Sequence, residues 1–208
     1  MVMQEVFKQL IKNEIAPLFK ENGFKKKGNN FAKLFSDFAW TVNIQSSKWN
    51  TKEEVEFTIN TGIFTDKLYG IGYRKVPPKF PTEIQSVLRH RISELKNEQD
   101  YWYEINLSSD LKKVKDEVRS DIENLIFPYF KKFQTIEDVM QEMKREEEEY
   151  FYGSDFDLTI LYQVYGNNKE AQERMMKAYN HYDYIQNWEY IRDLADELNL
   201  SIDKQNTL

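Results

Sequence analysis

Residues 38–64 read FAWTVNIQSSKWNTKEEVEFTINTGIF and contain two runs in which apolar and polar side chains alternate. The alternating apolar positions are Phe38, Trp40, Val42 and Ile44 in the first run, and Val55, Phe57 and Ile59 in the second. Successive side chains of a strand point to opposite faces, so each run predicts a strand with one buried face. Polar residues 46–50 separate the runs, and the whole stretch is typical of an antiparallel hairpin.

The predicted turn of this hairpin carries Trp49 next to Lys48. Large aromatic residues at loop tips often act as binding anchors, because they offer a large contact area at a low entropic cost. The alternative is that the long turn folds back and buries the ring. The sequence leaves both possibilities open.

The second face of the hairpin is polar and is interpreted as a docking surface. A predicted strand over residues 100–107 alternates in the same way and adds a tryptophan to that side. Amides and a tryptophan on one strand face suit contact with a protein partner. The predicted binding residues are Asn43, Gln45, Lys48, Trp49, Thr58, Asn60, Arg91, Trp102 and Glu104.

The flanking sequence supplies further elements. Apolar residues recur at helical spacing over residues 2–22, 83–95 and 111–127. Thr82 is a suitable cap for the second of these helices, and the run Ser108-Ser109-Asp110 for the third. The third is predicted to end near Phe127-Pro128. Short apolar-polar segments predict strands over residues 24–27 and 31–35. The glycines and prolines of residues 65–81 predict a loop.

These elements predict an α+β fold, with a mostly antiparallel four- or five-stranded sheet packed on helices. The first helix and the 111–127 helix are expected to cover one face of the sheet. The last third of the chain is helical in pattern, with further pieces predicted near residues 155–165, 168–181 and 187–199. We therefore predict a core domain over residues 1–140 and an acidic, helical C-terminal appendage over residues 141–208.

Charge and composition exclude several classes of protein. The formal net charge is −6, and residues 137–208 hold seven Lys and Arg against seventeen Asp and Glu. A nucleic-acid-binding protein is usually basic, so no nucleic-acid partner is expected; the run Lys25–Lys27 is interpreted as a solvated strand entrance. No apolar run reaches about 18 residues, so no membrane association is expected. The chain has no cysteine, and residues 1–19 lack the uninterrupted apolar core typical of a secretion signal, so a cytoplasmic location is expected.

No catalytic motif stands out in the sequence. The two histidines, His90 and His181, have no second ligand at metal-binding spacing, so neither a metal nor a cofactor is predicted. The leading hypothesis is a non-enzymatic protein-binding module of unknown oligomeric state. The alternative is an enzyme that acts on a small molecule through a carboxylate and an arginine, for example Glu104 with Arg89 or Arg91.

The order of features resembles a bacterial family known as domain of unknown function 4304. The resemblance covers about residues 3–140. It rests on Ala16-Pro17, on GFKKKGNNF at residues 23–31, on NIQSSKWN at residues 43–50, on FTIN at residues 57–60, and on the pairs Arg91-Ile92, Trp102-Tyr103 and Phe127-Pro128.

This resemblance implies no reaction, cofactor or catalytic residue. It implies a cytoplasmic protein. By analogy with other small α+β families, it also suggests an immunity protein whose acidic surface neutralises a basic toxin. The acidic helical tail lies outside the resemblance and is interpreted as an accessory to the core.

Overall fold

The computed structural model describes residues 2–150, 155–181 and 185–202. The described residues form six strands: β1 (Lys25–Lys27), β2 (Asn30–Leu34), β3 (Ala39–Ser46), β4 (Glu54–Phe64), β5 (Val87–Arg91) and β6 (Tyr103–Asn106). The first six α-helical segments are α1 (Met3–Leu10), α2 (Ala16–Glu21), α3 (Asp66–Tyr73), α4 (Ile92–Leu95), α5 (Leu111–Asp121) and α6 (Phe127–Phe130). The last four are α7 (Ile136–Tyr150), α8 (Asp155–Val164), α9 (Asn168–His181) and α10 (Ile185–Leu198). The predicted α+β class with an antiparallel sheet is confirmed.

The sheet is built around the long strand β4. Strands follow the order β1-β2-β3-β4-β5, all antiparallel, and β6 also pairs with β4. The first half of β4 pairs with β6, where Val55 lies opposite Ile105. The second half pairs with β5, where Asn60 lies opposite Arg91. Strands β5 and β6 therefore lie on the same side of β4, one beyond the other.

One face of the sheet is apolar and is covered by helices, as predicted. The ring of Phe7 in α1 lies 4.9 Å from that of Phe57 in β4. The ring of Phe19 in α2 lies 4.8 Å from that of Phe31 in β2. Phe19, Phe31 and Phe57 are fully buried. Burying large apolar side chains on one sheet face is the main force that fixes the fold.

Both long helices contain a π-helical turn immediately before a proline-containing segment. Residues Ile11–Ile15 precede Pro17, and residues Ile122–Ile126 precede Pro128. A π-helical turn changes the hydrogen-bond pairing locally, and a residue that has no N–H is tolerated at such a place. The 111–127 helix was predicted to end near Phe127-Pro128, and the helical path continues past this pair to Phe130.

The predicted helix over residues 83–95 is wrong. Thr82 does cap a turn, through hydrogen bonds with Gln85, but this 3-10 turn ends at Gln85. Strand β5 follows and pairs with β4, and only residues 92–95 are helical. Pairing with a neighbouring strand outweighed a local helical pattern here. Leu88 takes a φ of 46°, at the irregularity in the β4–β5 pairing.

The predicted loop over residues 65–81 contains helix α3. Within its helical unit α3 contacts α8, and a Cβ on Gly72 would lie 3.4 Å from Ile160 Cδ1, an ordinary van der Waals distance. Leu68 of α3 is buried. Glycine usually weakens a helix, which is why the two glycines of this segment favoured the prediction of a loop.

The chain divides into two compact units. The first comprises residues 1–65 and 78–138 and contains the whole sheet. The second comprises residues 66–77 and 139–208. In the second unit α8 and α9 pack together, and their predicted core residues are buried: Leu158, Leu161, Ala171 and Met175.

Candidate functional site

A row of polar side chains crosses four strands on the face opposite the apolar core. Asn30, Asn43, Asn60 and Arg91 are successive cross-strand partners on β2, β3, β4 and β5. Asn43 Nδ2 donates a hydrogen bond to Asn30 Oδ1 at 2.8 Å, and Arg91 Nε donates to Asn60 Oδ1 at 3.3 Å. The sheet register thus aligns three of the predicted site residues, and Asn30 joins them although the sequence interpretation omitted it.

Arg91 and Trp102 are held together by Asp100. Arg91 Nη1 donates to Asp100 Oδ1 at 3.2 Å, and Trp102 Nε1 donates to the same oxygen at 3.1 Å. The guanidinium lies 5.3 Å from the centroid of the Trp102 ring, a distance suited to a cation–π contact. Asp100 was missed from the sequence, because nothing in its local pattern separates it from any other surface carboxylate.

Other residues of the polar face form hydrogen bonds with this row or with the segment that precedes β6. Asn60 Nδ2 donates to Gln45 Oε1 at 2.7 Å, and Thr58 Oγ1 donates to the carbonyl of Tyr101 at 3.2 Å. Thr58 is fully buried and Asn60 is 8% exposed, whereas Gln45 is partly exposed. Thr58 and Asn60 are therefore not contact residues themselves; they hold Tyr101, Gln45 and Arg91 in place through hydrogen bonds.

One end of the polar face is covered by the turn that precedes β5. Thr41 Oγ1 lies 2.8 Å from Ser86 Oγ, and both residues are buried. A Cβ on Gly62 would lie 2.7 Å from Ser86 Cβ, so glycine is what allows this close approach. The exposed part of the polar face lies towards Gln45 and Trp102.

The hairpin tip is closed by Asn50. Its Oδ1 accepts a hydrogen bond from the Glu56 amide at 2.8 Å, and its Nδ2 donates to the Glu56 carbonyl at 3.0 Å. Trp49 is 77% exposed, so the structure decides between the two possibilities for this ring: it is not buried. Lys48 Nζ lies 4.9 Å from the Trp49 ring centroid. The tip presents a large aromatic ring on a turn fixed by side-chain hydrogen bonds.

Glu104 is connected to this tip through Glu56, the residue to which Asn50 is hydrogen-bonded. It is the direct cross-strand partner of Glu56 and accepts a hydrogen bond from Asn106 Nδ2. Glu104 and Trp102 also line a cleft of about 330 Å³ between β6 and the start of α5. Other residues that line the cleft include Tyr101, Asp110, Lys113 and Glu117.

Behind the cleft lies a partly buried network centred on Lys96. Lys96 Nζ lies 3.0 Å from Asp121 Oδ2 and 3.3 Å from Glu117 Oε1. Tyr103 donates to Asp121 at 2.6 Å, and Tyr101 donates to Glu117. Burial, followed by the bonds and charges of these carboxylates, raises the pKa of both tyrosines. Burial alone would lower the pKa of Lys96, but the bonds and charges of Asp121 and Glu117 outweigh it and the net shift is upward.

The residues named for the enzyme hypothesis have other partners. Arg89 binds Glu83 at 2.6 Å, and Arg91 binds Asp100. No ion pair between Glu104 and either arginine occurs among the residues that the structure describes. The predicted helix face carrying residues 89–91 is a strand instead.

The histidines do not form a metal site in the described part of the chain. His90 Nδ1 lies 2.8 Å from Glu94 Oε2, and His181 is the last residue of α9, with its side chain outside the described structure. No group of three or more His, Cys, Asp or Glu side chains in the described ranges could hold a metal ion. Within those ranges, no helical segment combines the length and apolarity that a bilayer crossing requires.

A family model described as "Domain of unknown function (DUF4304)" matches residues 15–132, more than half of the chain. The chain belongs to this family. The DUF4304 match contains all six strands and every candidate site residue on them and on the hairpin tip. A search of curated proteins and a search of solved structures gave no match. For this DUF4304 protein, function must therefore be argued from the site itself.

Proposed function

We propose that this chain is a non-enzymatic protein-binding module. Its contact surface, called here the hairpin-tip surface, comprises Gln45, Lys48, Trp49, Arg91, Trp102 and Glu104. The observation that carries the proposal is the exposure of Trp49, 77% of whose surface is accessible on a turn held by Asn50. An exposed tryptophan on a preorganised turn supports binding, because little conformational freedom remains to be lost.

The neighbouring Arg91–Trp102 stack supports the same proposal. Tryptophan, tyrosine and arginine dominate the energetics of protein interfaces. Asp100 orients both side chains before any partner arrives, and Arg91 is also held by Asn60. The surface therefore offers two aromatic groups and one arginine in fixed positions, with polar groups around them.

A narrower form of the proposal is an immunity-type protein in the bacterial cytoplasm. The net charge of −6 supports fast, salt-sensitive association with a basic toxin. The test is co-expression with toxin genes that neighbour the gene for this chain, with cell survival as the measurement. Survival that does not improve would remove the immunity role and leave the more general binding role.

Affinity capture with a matched control tests the general proposal. The tagged full chain is used to capture partners, and the affinity of a captured partner is then measured for Trp49→Ala, Trp102→Ala and Ile84→Ala. Truncating a hot-spot residue costs at least about 2 kcal/mol, so we expect roughly a 30-fold loss for Trp49→Ala. Ile84 is 75% exposed but lies on the turn that precedes β5, so its variant should bind normally. Unchanged affinity in both tryptophan variants would reject the proposal.

A further inference from the structure

Glu104 of the hairpin-tip surface lies in direct cross-strand register with another carboxylate. Glu56 of β4 lies opposite Glu104 of β6. Side chains at such positions have Cβ atoms about 4.5–5.5 Å apart, and like charges there are destabilising. This repulsion acts at Glu56, whose backbone is hydrogen-bonded to the side chain of Asn50 in the hairpin tip.

Two basic side chains of the candidate site have other partners. Arg91 is bound to Asp100, and Lys96 is bound to Glu117 and Asp121. Among the described residues, no ion pair joins Glu56 or Glu104 to a basic side chain. The only partner identified for the Glu104 carboxylate in this part of the chain is the neutral amide of Asn106. Lys113 lines the same cleft as Glu104, but no ion pair joins the two among the described residues.

A cleft opens beside Glu104. Its volume of about 330 Å³ lies at the lower end of the roughly 300–1,000 Å³ found for ligand sites. Its lining includes Tyr101, Trp102, Lys113 and three carboxylates. Glu117 is bound to Lys96, and Asp110 accepts hydrogen bonds from the first amides of α5, so Glu104 is the carboxylate left to meet a ligand. An exposed carboxylate beside aromatic side chains matches a flat cation better than an anion.

We propose that the protein partner of the hairpin-tip surface is basic at the contact and inserts an arginine side chain into this cleft, against Glu104. This inference rests on the proposed function and specifies the chemistry of the partner. Arginine is the occupant that fits, since a guanidinium can bind a carboxylate in a planar pair and stack on an aromatic ring at the same time. A positive group at this position also relieves the repulsion between Glu56 and Glu104.

The test uses the full chain labelled with ¹⁵N and two small probes. N-acetyl-L-arginine amide carries the guanidinium, and N-acetyl-L-citrulline amide is a neutral compound of nearly the same shape. We expect the arginine probe to shift the backbone amides of residues 104–113 and the citrulline probe to leave them unchanged. Glu104→Gln should weaken binding of the arginine probe about two- to fivefold, as expected for loss of an exposed ion pair.

A charge-matched control accompanies these variants. Glu21 is exposed on α2, so Glu21→Gln makes the same charge change far from the cleft in the sequence. Glu104→Gln should raise the Tm of the free chain, because it removes the repulsion with Glu56, and Glu21→Gln should not. Equal responses to the two probes, shifts centred on the acidic run 146–149, or a lower Tm for Glu104→Gln would each overturn the inference.

The outcomes separate this inference from the proposed function. If Trp49→Ala abolishes capture of the partner but the arginine and citrulline probes behave alike, the binding module stands and its basic partner is rejected. If the arginine probe binds at residues 104–113 but Trp49→Ala and Trp102→Ala leave partner affinity unchanged, the cation site stands and the hairpin-tip surface is rejected as the protein interface.

Discussion

The guanidinium of Arg91 lies 5.3 Å from the centre of the Trp102 ring, and this stack joins strand β5 to the start of strand β6. The two residues are neighbours because β5 and β6 pair with successive halves of β4. Asp100 receives a hydrogen bond from each of them. The geometry of this part of the candidate site therefore depends on three strands and on a carboxylate that belongs to none of them.

Asp100→Ala should release both Arg91 and Trp102. The Trp102 indole N–H would lose its acceptor, so we expect its proton and nitrogen NMR shifts to move towards solvent-exposed values. The Asp100 side chain is 64% exposed, so the loss of stability should be small, within about 1 kcal/mol. Asp116→Ala serves as the control, because Asp116 is exposed on α5. An unchanged indole signal in Asp100→Ala would show that Asp100 does not hold the ring.

Gly62→Ala should destabilise the chain. A Cβ at this position would lie 2.7 Å from Ser86 Cβ, so the turn before β5 must move away from the polar face. Overpacking of this kind typically costs about 1–3 kcal/mol, which is measurable by chemical denaturation. Gly70→Ala in α3 is the contrasting variant, since its nearest neighbours would be 3.8 Å away and alanine favours a helix. Equal stability for wild type and Gly62→Ala would disprove the close contact with Ser86.

The stability of the chain should fall in alkaline solution because of Tyr103. Burial and the hydrogen bond to Asp121 raise the pKa of Tyr103 in the folded chain above its ordinary value of 10.0. Above that pH the unfolded chain loses the phenolic proton while the folded chain keeps it, so the unfolded state is favoured. The stabilisation is fully present below pH 10 and declines as the pH rises beyond it.

Tyr103→Phe tests the origin of this decline. It should lower the free energy of unfolding at pH 7, because Asp121 loses a buried donor, and it should flatten the fall in stability above about pH 10. Denaturation curves at neutral pH and at several alkaline pH values measure both effects. Tyr101 and Lys96 also have raised pKa values, so some alkaline decline should remain. An unaltered alkaline slope would rule out Tyr103 as a contributor.

The sequence predicted the hairpin and the elements with a strong local pattern. Alternation predicted strands β3 and β4, and apolar spacing with a cap in residues 108–110 predicted α5. Within that run, Asp110 is the residue that accepts hydrogen bonds from the amides of Lys112 and Lys113. Strand β5 was not predictable in this way. Its residues fit a helical stripe locally, and only pairing with β4 makes them extended.

The candidate site, too, could be predicted from the sequence only in part. Alternation along single strands indicated that Asn43, Gln45, Thr58 and Asn60 share a face, and the register of β3 with β4 brings them together. Their burial could not be predicted, because it depends on which neighbouring segments cover each position. Thr58 is buried under such neighbours, while Trp49 remains exposed.

The sequence by itself determined the α+β class, the hairpin and its polar face, because each follows from the period of side chains along one short segment. Only the tertiary structure decided that Arg91 lies on a strand, that Asp100 joins it to Trp102, and that Glu56 faces Glu104. These relationships arise where separate segments meet on β4. Strand register and strand direction determine these relationships, and neither can be inferred from the local pattern of any one segment.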